Sequence, residues 1–254
     1  MEQLRTELSH LLGEKLSRVE CVSEKPSSAL WSLYDATHDE HPGPDVLLIE
    51  RLRGVSVEAP ARTPERWEQL QEQIVEALLA WHRQDSGGCV GMVDSTQENL
   101  WPYWYRQRVE VLWSTLNLYQ DTGLTMQDKR ILFRTRECLM DLFKGFNDNC
   151  VLVHGSFTLR SMLKDPRSDQ LLAMVGPGMM LWAPREYELF RLAESGQEEE
   201  LLWHYLRRAP VAEAFLWRRW LYLLWDEVDN LVNTGRFDRV RFDLAAKSIL
   251  PWLA

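Results

Sequence analysis

The sequence predicts an α+β chain in which a small sheet lobe precedes a large helical one. Three observations carry that reading. Short apolar runs bounded by turn formers fill residues 18–52, and from Thr63 onward apolar residues recur at helical spacing. One strand-and-turn stretch, 150–182, interrupts the helices before they resume near residue 185.

Leu4, Leu8, Leu11 and Leu12 share one helical face, so the chain is expected to open with a short amphipathic helix stopped at Gly13. "RVECV" and "ALWSLYD" read as two strands, with the turn formers Lys25-Pro26-Ser27-Ser28 between them. "HDEHPGPD" (38–45) breaks both periodicities and reads as a loop, while "VLLIERL" (46–52) reads as a buried strand ended by Gly54. Thr63-Pro64 is a helix start, a hydroxyl cap followed by Pro at the first helical position. The helix it opens, through Gln84, sets Trp67, Leu70, Ile74, Ala77, Leu78 and Trp81 on one face, and Gly87-Gly88 closes the region. Further helical patterns occupy 101–120 and 126–145, and the chain from 185 onward is helical. There "FLWRRWLYLLW" (215–225) reads as a buried helix with Arg218 and Arg219 at its wet edge. The expected division is 1–53, a reduced N-lobe of helix, strands and hinge, and 54–254, a helical C-lobe.

Composition bounds the function. Twelve Trp in 254 residues require a large core or a binding groove to house them. A formal net charge of −9 argues against a general nucleic-acid partner, which favours a basic face. Cys21, Cys89, Cys138 and Cys150 are scattered and form no Cys-x-x-Cys pair, so they suggest neither a zinc knuckle nor a thioredoxin-like site, and they fit a reducing compartment. No stretch approaches the ~18 apolar residues that a spanning helix needs, and "MEQLRTELSHLLGEKL" lacks the apolar core of a signal peptide. A cytoplasmic protein with no membrane partner is expected.

Three stretches, in order, point further. "DVLLIERLRGVSV" (45–57) looks like a last N-lobe strand and hinge. "VLVHGSFTLRSML" (151–163) has the His-Gly turn of a catalytic loop, and "LLAMVGPGMMLWAPREYELFRL" (171–192) looks like a metal-binding strand followed by a Glu-Tyr-Asp-Leu-type helix start. With "ALLAWHRQ" closing the first long helix, residues 45–195 resemble the aminoglycoside phosphotransferase and fructosamine kinase group. The resemblance implies a protein-kinase-like two-lobe fold with a truncated N-terminal β lobe, and ATP and Mg2+ as the cofactors of an active member. In such a fold a loop carboxylate orients the acceptor hydroxyl, an Asn and a second Asp hold the metal, and a strand lysine pairs with the phosphates.

Carried over position by position, the resemblance places Ser156 where the catalytic Asp belongs, with His154 shaping the loop turn. Ser161 falls on the metal Asn and Gly176 on the metal Asp, so no metal-ligand position is intact. Hard cations want anionic oxygens, and none of the three positions offers one. Hinge contacts to adenine would fall on the backbone of Glu50 and Leu52, which needs no particular side chain. Only eleven residues separate Tyr34 from Val46, where the family fold needs a strand, a helix and another strand, roughly forty residues. No lysine sits in a Val-Ala-Ile-Lys-like strand, and Lys25 falls in a turn. The resemblance therefore implies a degenerate, non-catalytic member, a pseudokinase that binds an unidentified protein or small-molecule ligand and needs no cofactor. The alternative is an ATP-dependent phosphotransferase acting on a small-molecule hydroxyl, such as a sugar or glycated amine, with Asp165 or Asp169 entering the site.

Other conspicuous residues have plainer readings. His38, Asp39, Glu40 and His41 match no metal-site spacing and lie in the Pro-Gly loop. His82 reads as a packing histidine bonded to backbone. "LWPYWYRQ" (100–107) reads as a helix start whose aromatics face a core, against the alternative of a stacking platform for a sugar or base.

Overall fold

The computed structural model describes the strands within 16–49, as backbone, and residues 53–253 apart from 94, 120–121, 178–179 and 193–195. The expected opening helix, the 38–44 loop with its His-Asp-Glu-His cluster, and the hinge positions Glu50 and Leu52 lie outside the described residues. The chain divides into two units, 1–53 and 54–254.

In the first unit, β1 (Leu16–Lys25), β2 (Ser28–Asp35) and β3 (Asp45–Ile49) form an antiparallel meander in that order. Lys25 pairs with Ser28 across the hairpin, so Lys25 ends a strand where the sequence suggested a turn. β2 pairs directly with β3, Trp31 opposite Val46.

The second unit opens with β4 (Val55–Ser56) and α1 (Pro64–His82). Thr63 Oγ1 accepts the Arg66 N–H at 3.3 Å, the cap that the Thr-Pro pair foretells. The helix buries Leu70, Gln71, Ile74, Val75, Leu78 and His82, a face rotated from the expected one, with Trp67, Ala77 and Trp81 at its margin. Two short strands follow that the sequence reading missed, β5 (Cys89–Met92) and β6 (Gln97–Glu98). α2 (Trp101–Leu116) and α3 (Met126–Glu137) come next, with the single turn α4 (Leu139–Leu142) splitting the expected 126–145 helix at Cys138. Thr125 and Asp128 close a reciprocal capping box at the start of α3.

β7 (Cys150–Val153), β8 (Met162–Lys164), β9 (Leu171–Met174) and β10 (Leu181–Pro184) build two small sheets, ordered β6-β5-β10-β7 and β4-β8-β9. The chain then runs through α5 (Glu186–Leu189), α6 (Gln197–Arg208), α7 (Phe215–Thr234) and α8 (Arg239–Ile249). Among the described residues no helix is long and apolar enough to cross a membrane.

The core of this unit is continuous. Trp101, Tyr105, Tyr187 and Tyr222 pack ring against ring at its centre, with centroid separations from 4.8 to 6.5 Å. This places "LWPYWYRQ" at a helix start with Trp101 and Tyr105 buried, as the plainer reading has it. Arg218 is no wet edge: it is 1% exposed, and its Nε and Nη2 reach Glu186 at 2.7 and 2.8 Å. Tyr222 donates to the same carboxylate at 2.5 Å and accepts from the Trp101 indole at 3.1 Å. His82 is buried as expected, but its partner is the Tyr205 hydroxyl at 2.7 Å rather than backbone.

Gly91 shows how tightly α2 lies on the small sheet. Its φ is +95°, and a Cβ there would stand 2.5 Å from the Trp104 indole nitrogen. Gly91→Ala should therefore cost roughly 2–4 kcal/mol, the sum of backbone strain and overpacking. Gly87→Ala, also at positive φ but in open space, should cost only ~1 kcal/mol, the backbone part alone. Equal losses for the two variants in urea unfolding would contradict this packing.

Candidate functional site

The loop after β7 is built from beneath. Val151–Val153 pair with β10, Leu181 opposite Val153, and this fixes where the chain leaves the sheet. Gly155 then turns at a φ of +76°. His154 is fully buried against Trp81, with ring centroids 5.4 Å apart, and against Phe157 at 6.2 Å. Burial pushes its imidazole below the usual histidine range, against the opposing pull of the Val175 backbone.

Glu188 on α5 holds this turn in place. Its carboxylate is completely buried and accepts the His154 backbone N–H in a short hydrogen bond. Burial pushes Glu188 up to about 7, while the backbone groups of His154, Gly155 and Phe157 and the nearby Arg191 pull the other way. One carboxylate thus faces the backbone on both sides of Ser156. Sequence reasoning saw Glu188 only as a substituted Asp in a helix-start motif. Its burial and its position under the loop are tertiary facts.

The positions assigned by resemblance are laid out around this turn. Ser156 is half-buried at the head of the loop and carries no charge. Ser161 closes a 3-10 turn, Leu159–Ser161: its Oγ accepts the Thr158 N–H at 3.0 Å and donates to the Thr158 carbonyl at 2.8 Å. The Val175 N–H donates to the Ser161 carbonyl at 2.7 Å, so the backbones on the two metal positions are tied together. Gly176 has a φ of +61°, and a Cβ there would meet nothing within 4 Å. Its lack of a side chain is not imposed by crowding.

These residues do not fit a magnesium–phosphate group. They offer two neutral hydroxyls, one engaged with its own turn, and no carboxylate. Among the described residues no cluster of three His, Cys, Asp or Glu side chains could hold a metal.

The alternative acids have other work at the β8–β9 hairpin. Asp165 accepts the N–H groups of Ser168 at 2.7 Å and Arg167 at 2.9 Å, which lower its pKa. Asp169 turns the chain at a φ of +59° and meets Lys164 Nζ at 2.9 Å in a buried pair. Burial pushes Asp169 up, but Lys164, the Arg62 N–H at 3.1 Å and Arg66 at 3.4 Å outweigh it and leave the carboxylate below its usual range. Neither acid is free to serve the Ser156 turn.

The Glu188 arrangement sets a pH dependence. Its folded pKa of about 7 lies above its unfolded value, so the folded state holds the extra proton between pH ~4.5 and ~7. Stability contributed by this group is present below that window and falls as pH rises through it. Comparison with Glu188→Gln isolates the slope, since His154 and His82, both pushed down by burial, contribute the opposite sign in both proteins. The wild-type-minus-variant stability should fall by about 3 kcal/mol between pH 4.5 and 7.5, read from urea unfolding. A flat difference would refute a buried, proton-binding Glu188.

Comparison with known proteins agrees with this architecture. Residues 23–226 match the family model described as APH, phosphotransferase enzyme family. Uncharacterized protein YcbJ of Escherichia coli (strain K12) is 68% identical, with the alignment covering 100% of both chains; its counterpart in Shigella flexneri matches equally. That alignment runs over 297 positions against the 254 residues here, so at least 43 of its positions face no residue of this chain. Among solved structures, a protein assigned as a fructosamine-3-kinase from Thermobifida fusca superposes with a TM-score of 0.59 at 17% identity, covering 99% of each chain. Aminoglycoside phosphotransferase APH(4)-Ia, in a ternary complex with ADP and hygromycin B, superposes at 0.61 with 14% identity, covering 99% of this chain and 98% of that one. The α+β, kinase-like fold follows from these superpositions, and the chain belongs to the APH phosphotransferase enzyme family.

Proposed function

We propose that this chain is a non-catalytic member of its family, a kinase-like scaffold that acts in the cytoplasm by binding a partner protein or a small ligand rather than by transferring a phosphoryl group. The observation that carries this reading is the charge of the loop: Ser156, Ser161 and Gly176 supply no anionic oxygen where the family's chemistry needs three polar ligands. Catalysis of phosphoryl transfer is positioning plus charge stabilisation, so losing a base alone costs ~10²–10⁴-fold, and losing the metal ligands removes the phosphate clamp as well.

Two further observations support it. The relatives have at least 43 alignment positions that this chain lacks. The short stretch between β2 and β3, strands that already pair with each other, is where the sequence leaves no room for a phosphate-binding lysine and its glutamate. We assign the missing positions to that stretch. The three described cysteines, Cys89, Cys138 and Cys150, are free thiols, which suits the cytoplasm.

The test is thermal unfolding with ATP and magnesium, followed by incubation with labelled ATP and a panel of amino sugars, glycated amines and sugars. The expected outcome is an unmoved melting temperature and no labelled product. Nucleotide at one hundred times its Kd would add ~2.7 kcal/mol, a rise of roughly 5–10 °C for a unit of this size. A magnesium-dependent rise of that order would count heavily against this reading, and label on any acceptor would establish the phosphotransferase reading instead.

A further inference from the structure

The outer face of α2 and α3 carries a groove that the kinase-like site does not use. It is lined by Trp113, Met126, Lys129, Arg130, Phe133, Arg134 and Glu137, encloses about 500 Å³, and its floor is almost wholly apolar. Met126 is 71% exposed and Phe133 48%. Trp113 is half-buried behind them, its ring 6.1 Å from that of Phe133. Met, Trp and Phe in one concavity are the side chains that anchor interfaces, and helix surfaces seldom leave three together in water without use.

The charges of the rim say what would cover it. Many cations of this unit stand opposite carboxylates, as Arg108 does on Asp229 at 2.6 Å and Arg191 on Asp226 at 2.7 Å. Here the local acids are already taken: Glu110 and Glu137 by Arg136 at 2.7 and 2.9 Å, and Asp128 by Arg239 at 2.6 Å. Lys129, Arg130 and Arg134 are left with no ion pair among the described residues. Three uncompensated cations thus ring an apolar floor on a chain whose net charge is −9. The other arginine-rich concavity, around Arg239 and Arg241, lacks this surplus, because Asp128, Asp243 and Glu227 neutralise it.

We infer that the groove docks an acidic amphipathic segment of a partner protein, its apolar side chains set on Trp113, Met126 and Phe133 and its carboxylates on the three cations. A concave floor between two helices accepts the ridge of a helix or strand, as in helix-in-groove recognition. A lipid surface would reach Met126 and the rim more readily than the recessed Trp113. The chain's own densest acidic run, Glu198–Glu200, is a poorer occupant, since Glu200 is held by the Trp67 indole at 2.5 Å. This proposal stands apart from the loss of phosphotransfer: either could hold without the other.

Peptide display on the whole chain tests it, run in parallel on wild type and on the triple variant Lys129→Glu, Arg130→Glu, Arg134→Glu. Arg130 and Arg134 are exposed and Lys129 half-buried, and an unchanged melting temperature confirms that the variant folds. The expected result is enrichment, on wild type only, of sequences that combine Asp or Glu with Leu, Phe or Trp at three- and four-residue spacing. The best synthetic peptide should bind at least tenfold more weakly to the charge variant and to Phe133→Ser, and more weakly at high salt. No such enrichment, enrichment indifferent to the variant, a concentration-dependent dimer abolished by the variant, or partition onto anionic vesicles without peptide binding would each overturn the proposal.

Discussion

The Ser156 turn exists because Glu188 lies beneath it. A backbone that leaves a sheet and reverses within a few residues exposes N–H groups with no ladder to join, and a buried N–H without an acceptor costs ~1–3 kcal/mol. Here a single fully buried carboxylate takes the His154 N–H and faces those of Gly155 and Phe157. Its neighbour two residues back, Glu186, is equally buried but is answered by the Arg218 guanidinium and the Tyr222 hydroxyl. One helical turn therefore delivers two carboxylates inward, one to the loop and one to α7. Breaking either leaves an unpaired polar group in a dry core, which is the costly form of a buried charge.

This separates two kinds of polar residue. Those that build the loop, His154, Gly155 and Glu188, are in place, with the Glu188 carboxylate on the His154 backbone N–H. Those that would act on a phosphate are uncharged. The distinction tracks what each position contributes to the fold. An acid at the head of a half-exposed turn contributes little to stability, and Gly176 stands in open space, with only its φ of +61° set against a side chain. An acceptor buried under the turn cannot be given up without stranding the backbone it serves.

The legible parts of the fold were those set by local rules. Thr63-Pro64 announced α1, and the order of strands and helices announced an α+β unit. The strands β5 and β6 escaped notice because a positive-φ glycine, Gly91, sits within β5 and breaks the alternation that marks a strand. Arg218 reads as solvated from sequence because periodicity cannot show that a guanidinium meets a carboxylate from another helix. From sequence the face of α1 runs through its tryptophans, whereas the buried stripe includes Gln71 and His82, polar residues whose partners are remote in sequence. At the site, His154 and Gly155 were legible as a turn, while Glu188 was hidden because its importance lies in burial.

The distribution of cations completes the picture. A phosphate needs positive charge or donors that are not already satisfied. Near the loop, Lys164 and Arg66 face Asp169, Arg191 forks onto Asp226 at 2.7 and 2.9 Å, Arg218 forks onto Glu186, and Arg160 reaches Glu58 at 2.7 Å. Drawing any buried member of this set toward a ligand would strand its carboxylate in the interior, at a cost of ~3–5 kcal/mol. Each of these described cations is thus already engaged by a carboxylate. Lys129, Arg130 and Arg134 of α3, with no ion pair among the described residues, can take a partner without breaking anything in the core. On the two proposals above, recognition of something charged belongs to this helical surface and not to the kinase-like loop.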